Sequence, residues 1–285
     1  MKPAPFDYLA ARSAGEAVAA LADGGAQVLA GGQSLVLEMN YRRARPRRLV
    51  DINRIAGLDR LEAADGTLRV GPLVRHRAFE SQAVPGPLGA LLRRVARHIA
   101  HPPIRARGTM LGSLAFAHPA AEWPAVVTAL GGRIDLVARG RRRTVAAEEF
   151  FTGPFATLRR PDELLAEVRL PLLPPGCRVG FAELRRTHAS FAQLAVAAAV
   201  TLSGDRVAAA SLGLVNAADR PVRARAAERV LIGRPLDDAA IAEAAGVAAG
   251  QDADPRPEPY ADAGYLRHAV AVLTRRALGQ ARDGG

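Results

Sequence analysis

The stretch Val28-Leu29-Ala30-Gly31-Gly32-Gln33-Ser34-Leu35 decides how this chain is read. A short apolar strand, predicted over 27–30, runs into two glycines and then two side chains that can donate hydrogen bonds. Consecutive amides in a glycine turn converge on an anion, and the missing Cβ lets a phosphate reach the backbone. The pattern is not GxGxxG, and no Lys-Ser/Thr follows to make a P-loop. It is not a nucleophile elbow either, because Leu35-Val36 follows Ser34 where a glycine is needed. Two readings stand at this point: an ordinary turn, or a phosphate cradle.

Working outward, Ser13-Ala14-Gly15-Glu16 is a capping box. It opens a helix through Ala17, Val18 and Leu21 that stops at Gly24-Gly25. An arginine-rich loop leads to a strand over 49–52, so residues 1–55 read as a small α/β unit. A second unit, 56–173, opens with a hairpin around Asp65-Gly66. Its helix over 88–100 ends at His101-Pro102-Pro103, since proline cannot continue it. Residues 105–113 read as another loop with glycines, hydroxyls and free amides, ahead of a helix over 123–130. Two such loops can grip one pyrophosphate from both sides. A further hairpin spans 134–145, and a strand over 164–170 closes the unit. Residues 171–176, rich in proline, form the linker. Residues 177–285 then read as a C-terminal α+β domain of three strands followed by three helices. The fold class expected is α+β.

Cys177 is the only cysteine, so the chain offers no internal disulfide, cysteine zinc site or iron–sulfur ligand set. No apolar run reaches the ~20 residues of a membrane span, and Met1 to Ala10 has no apolar signal segment, so a cytoplasmic protein is expected. The formal charge is +11, yet Lys2 is the only lysine. That bias, with heavy alanine use, reflects genome composition more than selection for charge. Basic residues cluster at Arg42, Arg43, Arg45, Arg47 and Arg48, and again at Arg139 with Arg141, Arg142 and Arg143. Nucleic-acid binding calls for stacking aromatics among such residues, and aromatics are only 5 % of the chain, which disfavours it. His98 and His101 lack a third metal ligand at useful spacing, and the adjacent Glu148 and Glu149 point apart on a helix. No catalytic residue and no metal ligand is assigned. That suits a protein whose chemistry is carried by a cofactor.

Several further tracts carry a resemblance. They are Phe6-Asp7-Tyr8, residues 40–46, Leu49-Val50-Asp51-Ile52-Asn53, Arg107-Gly108-Thr109 and Pro119-Ala120-Ala121-Glu122-Trp123-Pro124. Phe150-Phe151-Thr152-Gly153, Tyr265-Leu266-Arg267-His268 and Arg275-Arg276-Ala277-Leu278 complete the set. In order and spacing these resemble the FAD-binding medium subunit of the molybdenum hydroxylases, the group of carbon monoxide dehydrogenase and xanthine dehydrogenase. The resemblance implies a two-part FAD-binding region of the vanillyl-alcohol-oxidase type, followed by the family's C-terminal domain. It implies that residues 28–35 and the second loop, Thr109, Met110, Leu111, Gly112 and Ser113, wrap the FAD pyrophosphate. Ile99, Glu122, Leu165 and Arg185 would be further FAD contacts. Ile99 and Leu165 offer apolar surface, Glu122 would accept from a ribityl hydroxyl or flavin N–H, and Arg185 would favour the anionic reduced flavin.

Three tracts depart from the family pattern. Leu111 stands in place of a glycine: if it merely narrows the site, Leu111→Gly keeps or tightens FAD, and if it is a packing contact for the cofactor, the variant binds less flavin. Phe116-Ala117-His118-Pro119 replaces His-Ala-Asp-Pro, and Ser190-Phe191-Ala192 replaces Asp-Tyr/Phe-Ala. For function, the resemblance implies an electron-transfer subunit of a multi-subunit oxidoreductase. Its partners would be a small subunit with 2Fe-2S clusters and a large subunit with molybdopterin, assembled as a dimer of heterotrimers (a heterohexamer). The cluster from Arg42 to Arg48 reads either as a solvated face, as charge runs usually are, or as a surface that helps dock the iron–sulfur subunit. The alternative is a free-standing flavin oxidoreductase with its own substrate pocket.

Overall fold

Ser13 starts the first helix with its own side chain. Its hydroxyl accepts the Glu16 amide at 3.1 Å, and Glu16 reaches back to the Arg12 amide at 2.7 Å. The computed structural model describes residues 2–284. Its first unit runs β1 (Asp7–Ala10), α1 (Ala14–Ala22), β2 (Ala26–Leu29), α2 (Leu35–Asn40) and β3 (Arg48–Asp51). The three strands are parallel in the order β1-β3-β2, and Ala17, Val18 and Leu21 of α1 pack on Val50 and Ile52. Parallel neighbours need crossover connections, which α1 and α2 supply.

The second unit comprises β4 (Leu61–Ala64), β5 (Thr67–Val70), α3 (Gly86–His98), α4 (Pro102–Arg105), α5 (Met110–Phe116) and α6 (Glu122–Ala129). It continues with β6 (Arg133–Ala138), β7 (Arg141–Ala146), α7 (Ala147–Phe150), β8 (Phe151–Gly153), β9 (Ala156–Thr157) and β10 (Leu164–Pro171). Its five-stranded antiparallel sheet has the order β4-β5-β10-β6-β7. Asp65 and Gly66 both take positive φ, 51° and 71°, as the tight turn between β4 and β5 demands. The predicted loop over 105–113 is corrected: α4 ends within it and α5 begins at Met110. Thr109 caps α5 by accepting the Gly112 amide at 3.0 Å, while Met110, Leu111 and Leu114 are buried. Core packing on one face, rather than local propensity, makes this a helix. The second arginine cluster is tied into ion pairs: Arg141 to Asp162, Arg142 to Asp135 and Arg143 to Glu163.

The third unit runs β11 (Cys177–Leu184), β12 (Leu194–Ser203), β13 (Arg206–Val215), β14 (Val222–Arg223), α8 (Arg225–Leu231), α9 (Asp238–Val247) and α10 (Ala263–Arg282). Its sheet is antiparallel in the order β11-β12-β13-β14. Strand β12 has successive side chains in two different cores. Ala195, Ala197 and Ala199 join the core of the second unit, whereas Leu194, Val196, Ala198 and Val200 face α8, α9 and α10. Alternation at period two across a sheet covered on both sides explains its unbroken apolar run. The third unit is thereby packed against the second, close to α6.

Candidate functional site

The two glycine-bearing segments meet face to face. A Cβ on Gly31 would lie inside the contact shell of the Arg107 carbonyl oxygen and 2.8 Å from Gly108 Cα, so glycine is required there by backbone approach. Gly32 takes φ +73°, the left-handed region of the turn into α2. A polar clamp joins the segments. Asn53 Nδ2 donates to Ala30 O at 2.9 Å, and Arg75 donates to Asn53 Oδ1 at 2.6 Å and to Arg107 O at 2.5 Å. Asn53 and Arg75 were not singled out as site residues in the sequence. No local signal marks them, because their partners lie 22 to 32 residues away.

Beneath the clamp lies a cavity of about 600 Å³ between the first two units. Val28, Ala30, Gly31, Gly32, Gln33, Ser34 and Leu35 form one wall; Thr109, Leu111, Gly112 and Ser113 form the facing one. Ile99, Glu122 and Leu165 also line it. Leu29, Met110 and Arg185 do not. Met110 is fully buried in the core, and the Arg185 guanidinium is engaged elsewhere, donating to His98 O at 3.0 Å with His98 Nδ1 at 3.2 Å. Leu111 lies in the wall but is 2 % exposed and packed into the main core, so it is a structural leucine as well as a lining residue. His76, Phe116, His118, Phe155, Arg159 and Glu163 also line the cavity and were missed as site residues. His118 entered the sequence reading only as part of the tract that departs from the family pattern. It stacks on Phe191 with ring centroids 3.9 Å apart, and its Nδ1 accepts the Ala120 amide.

The cavity's titratable groups are set by burial. Glu122 is pushed up to about 8, by burial first and by the charge of Glu183 second, with Arg185 opposing. At neutral pH it is a protonated acid, able to donate a hydrogen bond as well as accept one. The expectation of a simple acceptor is amended accordingly. His76 is pushed down to about 3 by burial, reinforced by Arg105 and Arg75. Its Nδ1 accepts from Trp123 Nε1 at 2.9 Å, so the neutral ring carries its proton on Nε2. That edge abuts Gly108, where a Cβ would come within 2.7 Å of the ring.

At the far end, Glu163 is buried yet ionised. Burial opposes its charge, but the Arg143 bonds at 2.7 and 2.8 Å and the Arg160 amide at 2.7 Å hold it below the usual carboxylate range. Arg159, its neighbour in the wall, donates to the carbonyls of Arg160 and Glu163 at 3.1 and 3.0 Å. Arg143→Met strands a carboxylate whose side chain is 2 % exposed, and breaking a buried pair costs roughly 3 kcal/mol at the low end. The low end applies because Arg143 is one-third exposed. A group with a depressed folded value stabilises above its unfolded value and loses that contribution as pH falls. Urea unfolding should therefore show the full loss at pH 7 and convergence with wild type in acid; a gap that persists unchanged in acid would exclude this pair as its origin.

Comparison with known proteins defines the class. Residues 4–173 match the family described as the FAD binding domain in molybdopterin dehydrogenase, and residues 180–281 match the CO dehydrogenase flavoprotein C-terminal domain. An FAD flavoprotein is the class so defined. The chain is 37 % identical over 284 residues to a 6-hydroxypseudooxynicotine dehydrogenase complex subunit alpha from Paenarthrobacter nicotinovorans, covering 99 % of this chain and 96 % of that one. It is 33 % identical to the carbon monoxide dehydrogenase medium chain of Afipia carboxidovorans, over 99 % and 98 % of the two chains. The fold superposes on a chain of reconstituted CO dehydrogenase from Oligotropha carboxidovorans with a TM-score of 0.95, at 33 % identity and 100 % coverage of both. This chain belongs to the FAD-binding medium subunits of the molybdenum hydroxylases, in the carbon monoxide dehydrogenase and xanthine dehydrogenase family. Its relatives are subunits of dehydrogenases, and among the described residues no helix is long and apolar enough to cross a membrane.

Proposed function

We propose that the FAD lies in the cavity between residues 28–35 and 109–113, and that the chain is the electron-transfer subunit of a molybdenum-dependent dehydrogenase. The observation that carries this reading is the cavity itself, whose two opposed walls are built from the glycine-bearing segments. The residues fit the cofactor. Gly31 and Gly32 leave backbone amides uncovered for a pyrophosphate, Ile99 and Leu165 offer apolar surface to a ring, and Glu122 presents an O–H to a polar edge. Bound FAD supplies reversible electron uptake and release. The chain's own residues bind it, orient it and keep water from it. Residues 1–55 and 56–173 would share the FAD, with 177–285 as a third domain packed on the second.

Electrons would arrive from a small subunit with 2Fe-2S clusters, fed by a large subunit with molybdopterin, and leave to an external acceptor. A dimer of such heterotrimers in the cytoplasm completes the reading. Arg42, Arg45 and Arg47 are exposed beside Arg43, which itself lines the cavity. Opposite charge at a rim acts chiefly on encounter rate. Reversing Arg42, Arg43 and Arg45 to glutamate should slow flavin reduction by the partner subunits several-fold at low salt and less at high salt. Equal rates at every salt concentration would remove this surface from the docking path.

A cleft of about 520 Å³ adjoins the cavity across His118, Phe155 and Phe191, and favours a second reading: a free-standing flavin oxidoreductase with its own substrate pocket. Expression with its genomic neighbours separates the two. The first reading expects a flavin absorbance spectrum and co-purification with two further chains. Flavin without partners favours the second, and a colourless protein overturns both.

A further inference from the structure

Asn53 and Arg75 lie outside the cavity lining, yet the backbones of both walls are bonded to them. Residues 74–76 run along the second segment: the His76 amide donates to Gly108 O at 2.9 Å, and Arg75 bridges Thr109 in the antiparallel sense. From that backbone the Arg75 guanidinium reaches two ways. One terminal nitrogen donates to Arg107 O and the other to Asn53 Oδ1. Asn53 is fixed to the first unit, its Nδ2 donating to Ala30 O at 2.9 Å and to Asp51 Oδ1 at 2.6 Å. Asp51, at the end of β3, also accepts the Asn53 amide at 2.8 Å and the Tyr8 hydroxyl of β1. The bonds thus run unbroken from β1 to the segment that leads into α5.

The residue types suit their places. Asn53 accepts from a guanidinium and donates to two oxygens at once, which an amide can do and a carboxylate cannot. Arg75 spans acceptors in two units with a planar fork, which the single ammonium of a lysine does not replace. The carbonyl that Arg75 holds is the one a Cβ on Gly31 would strike, so the fork acts where the two backbones touch. We infer that Asn53 and Arg75 are positioning residues of the cofactor site: they hold residues 30–31 and 107–109 at the spacing at which both walls engage one pyrophosphate. This rests on the proposed placement of FAD between those walls. Walls already held in register need no further ordering when the cofactor binds, and that saving appears as affinity. The clamp is a series of bonds, so breaking either link frees the same walls, and the two losses overlap rather than add.

The test titrates the flavin-free full chain with FAD, ADP and riboflavin, read by calorimetry. Asn53→Ala and Arg75→Met should each weaken FAD about tenfold, the worth of one or two hydrogen bonds. The double variant should bind no more weakly than the weaker single, and losses that multiply to roughly a hundredfold overturn a shared clamp. Arg75→Lys keeps the charge without the fork and should match Arg75→Met, so wild-type affinity in Arg75→Lys overturns the geometric role. ADP, which carries the pyrophosphate, should lose the same factor as FAD. Riboflavin, which has no phosphate, should bind each variant as it binds wild type. Equal weakening of all three ligands is a general loosening of the fold and overturns the inference. Asn53→Asp, near in size, is the second variant where alanine disturbs folding; it keeps Arg75 as a donor, cannot donate to Ala30 O, and should weaken FAD likewise. FAD affinity unchanged across the clamp variants, with Gly31→Val still weakened, overturns the clamp and leaves FAD between the walls. If Gly31→Val also binds FAD as wild type does, the placement falls with it.

Discussion

Gly31→Val should weaken FAD binding by roughly 100-fold while leaving most of the chain folded. The valine Cβ cannot coexist with the Arg107 carbonyl and Gly108 Cα, and those atoms are backbone, held by Arg75 and the His76 amide. The two cavity walls must therefore part. If two amide-to-phosphate bonds are lost at about 1.5 kcal/mol each, affinity falls by roughly 100-fold. Gly32→Ala is the milder companion. Its Cβ would meet only the side-chain tips of Leu29 and Val36 at 3.3 Å, and its cost is the left-handed backbone, about 1 kcal/mol. Fluorescence titration with FAD, alongside far-ultraviolet circular dichroism, reads both. Wild-type affinity in Gly31→Val would show that the walls are not coupled at this point.

Leu111→Gly should destabilise the protein by about 4 kcal/mol rather than tighten FAD. At the level of sequence, a leucine in place of a glycine predicts a narrowed site and a small backbone-entropy change. The structure places Leu111 at the second position of α5, 2 % exposed and within the core that holds Trp123 and Phe79. Removing a buried leucine leaves a cavity at a cost of roughly 2–5 kcal/mol. Glycine inside a helix adds about 1 kcal/mol. Leu111→Ala isolates the first contribution. Urea unfolding measures both, and FAD affinity should fall with stability as α5 loosens. A variant within about 1 kcal/mol of wild type would refute the packing role.

The lining of the cavity was readable where chemistry is local. A strand that runs into Gly31-Gly32 is visible as residue types in order, whereas the cap at Thr109 lay within a segment that reads as a loop. The pairings were not readable. Arg143 lay in a run that looks like a solvated basic face, yet it neutralises Glu163, twenty residues on, because β7 and the turn before β10 lie side by side. Arg185, expected at the flavin, turns instead to His98, 87 residues away. Glu183 is one carboxyl among many in sequence, and only the covering of β11 by α3 and α10 makes it a buried one.

By itself the sequence determined many of the elements: the capped α1, the Asp65-Gly66 hairpin, the glycine turn after β2, and the long α10 with its apolar stripe. These follow from backbone sterics and side-chain periodicity, which act within a few residues. Tertiary structure decided which side of each element became a wall. Strand β12 is continuous apolar sequence, and nothing within it states that Ala195, Ala197 and Ala199 would face one core and Val196, Ala198 and Val200 another. The same holds at the site. Glycine at position 31 is legible, but its reason, a second backbone at contact distance, exists only once residues 107–108 are folded against it. Burial, which raises Glu122 and lowers His76, is a property of the neighbours and not of the residue.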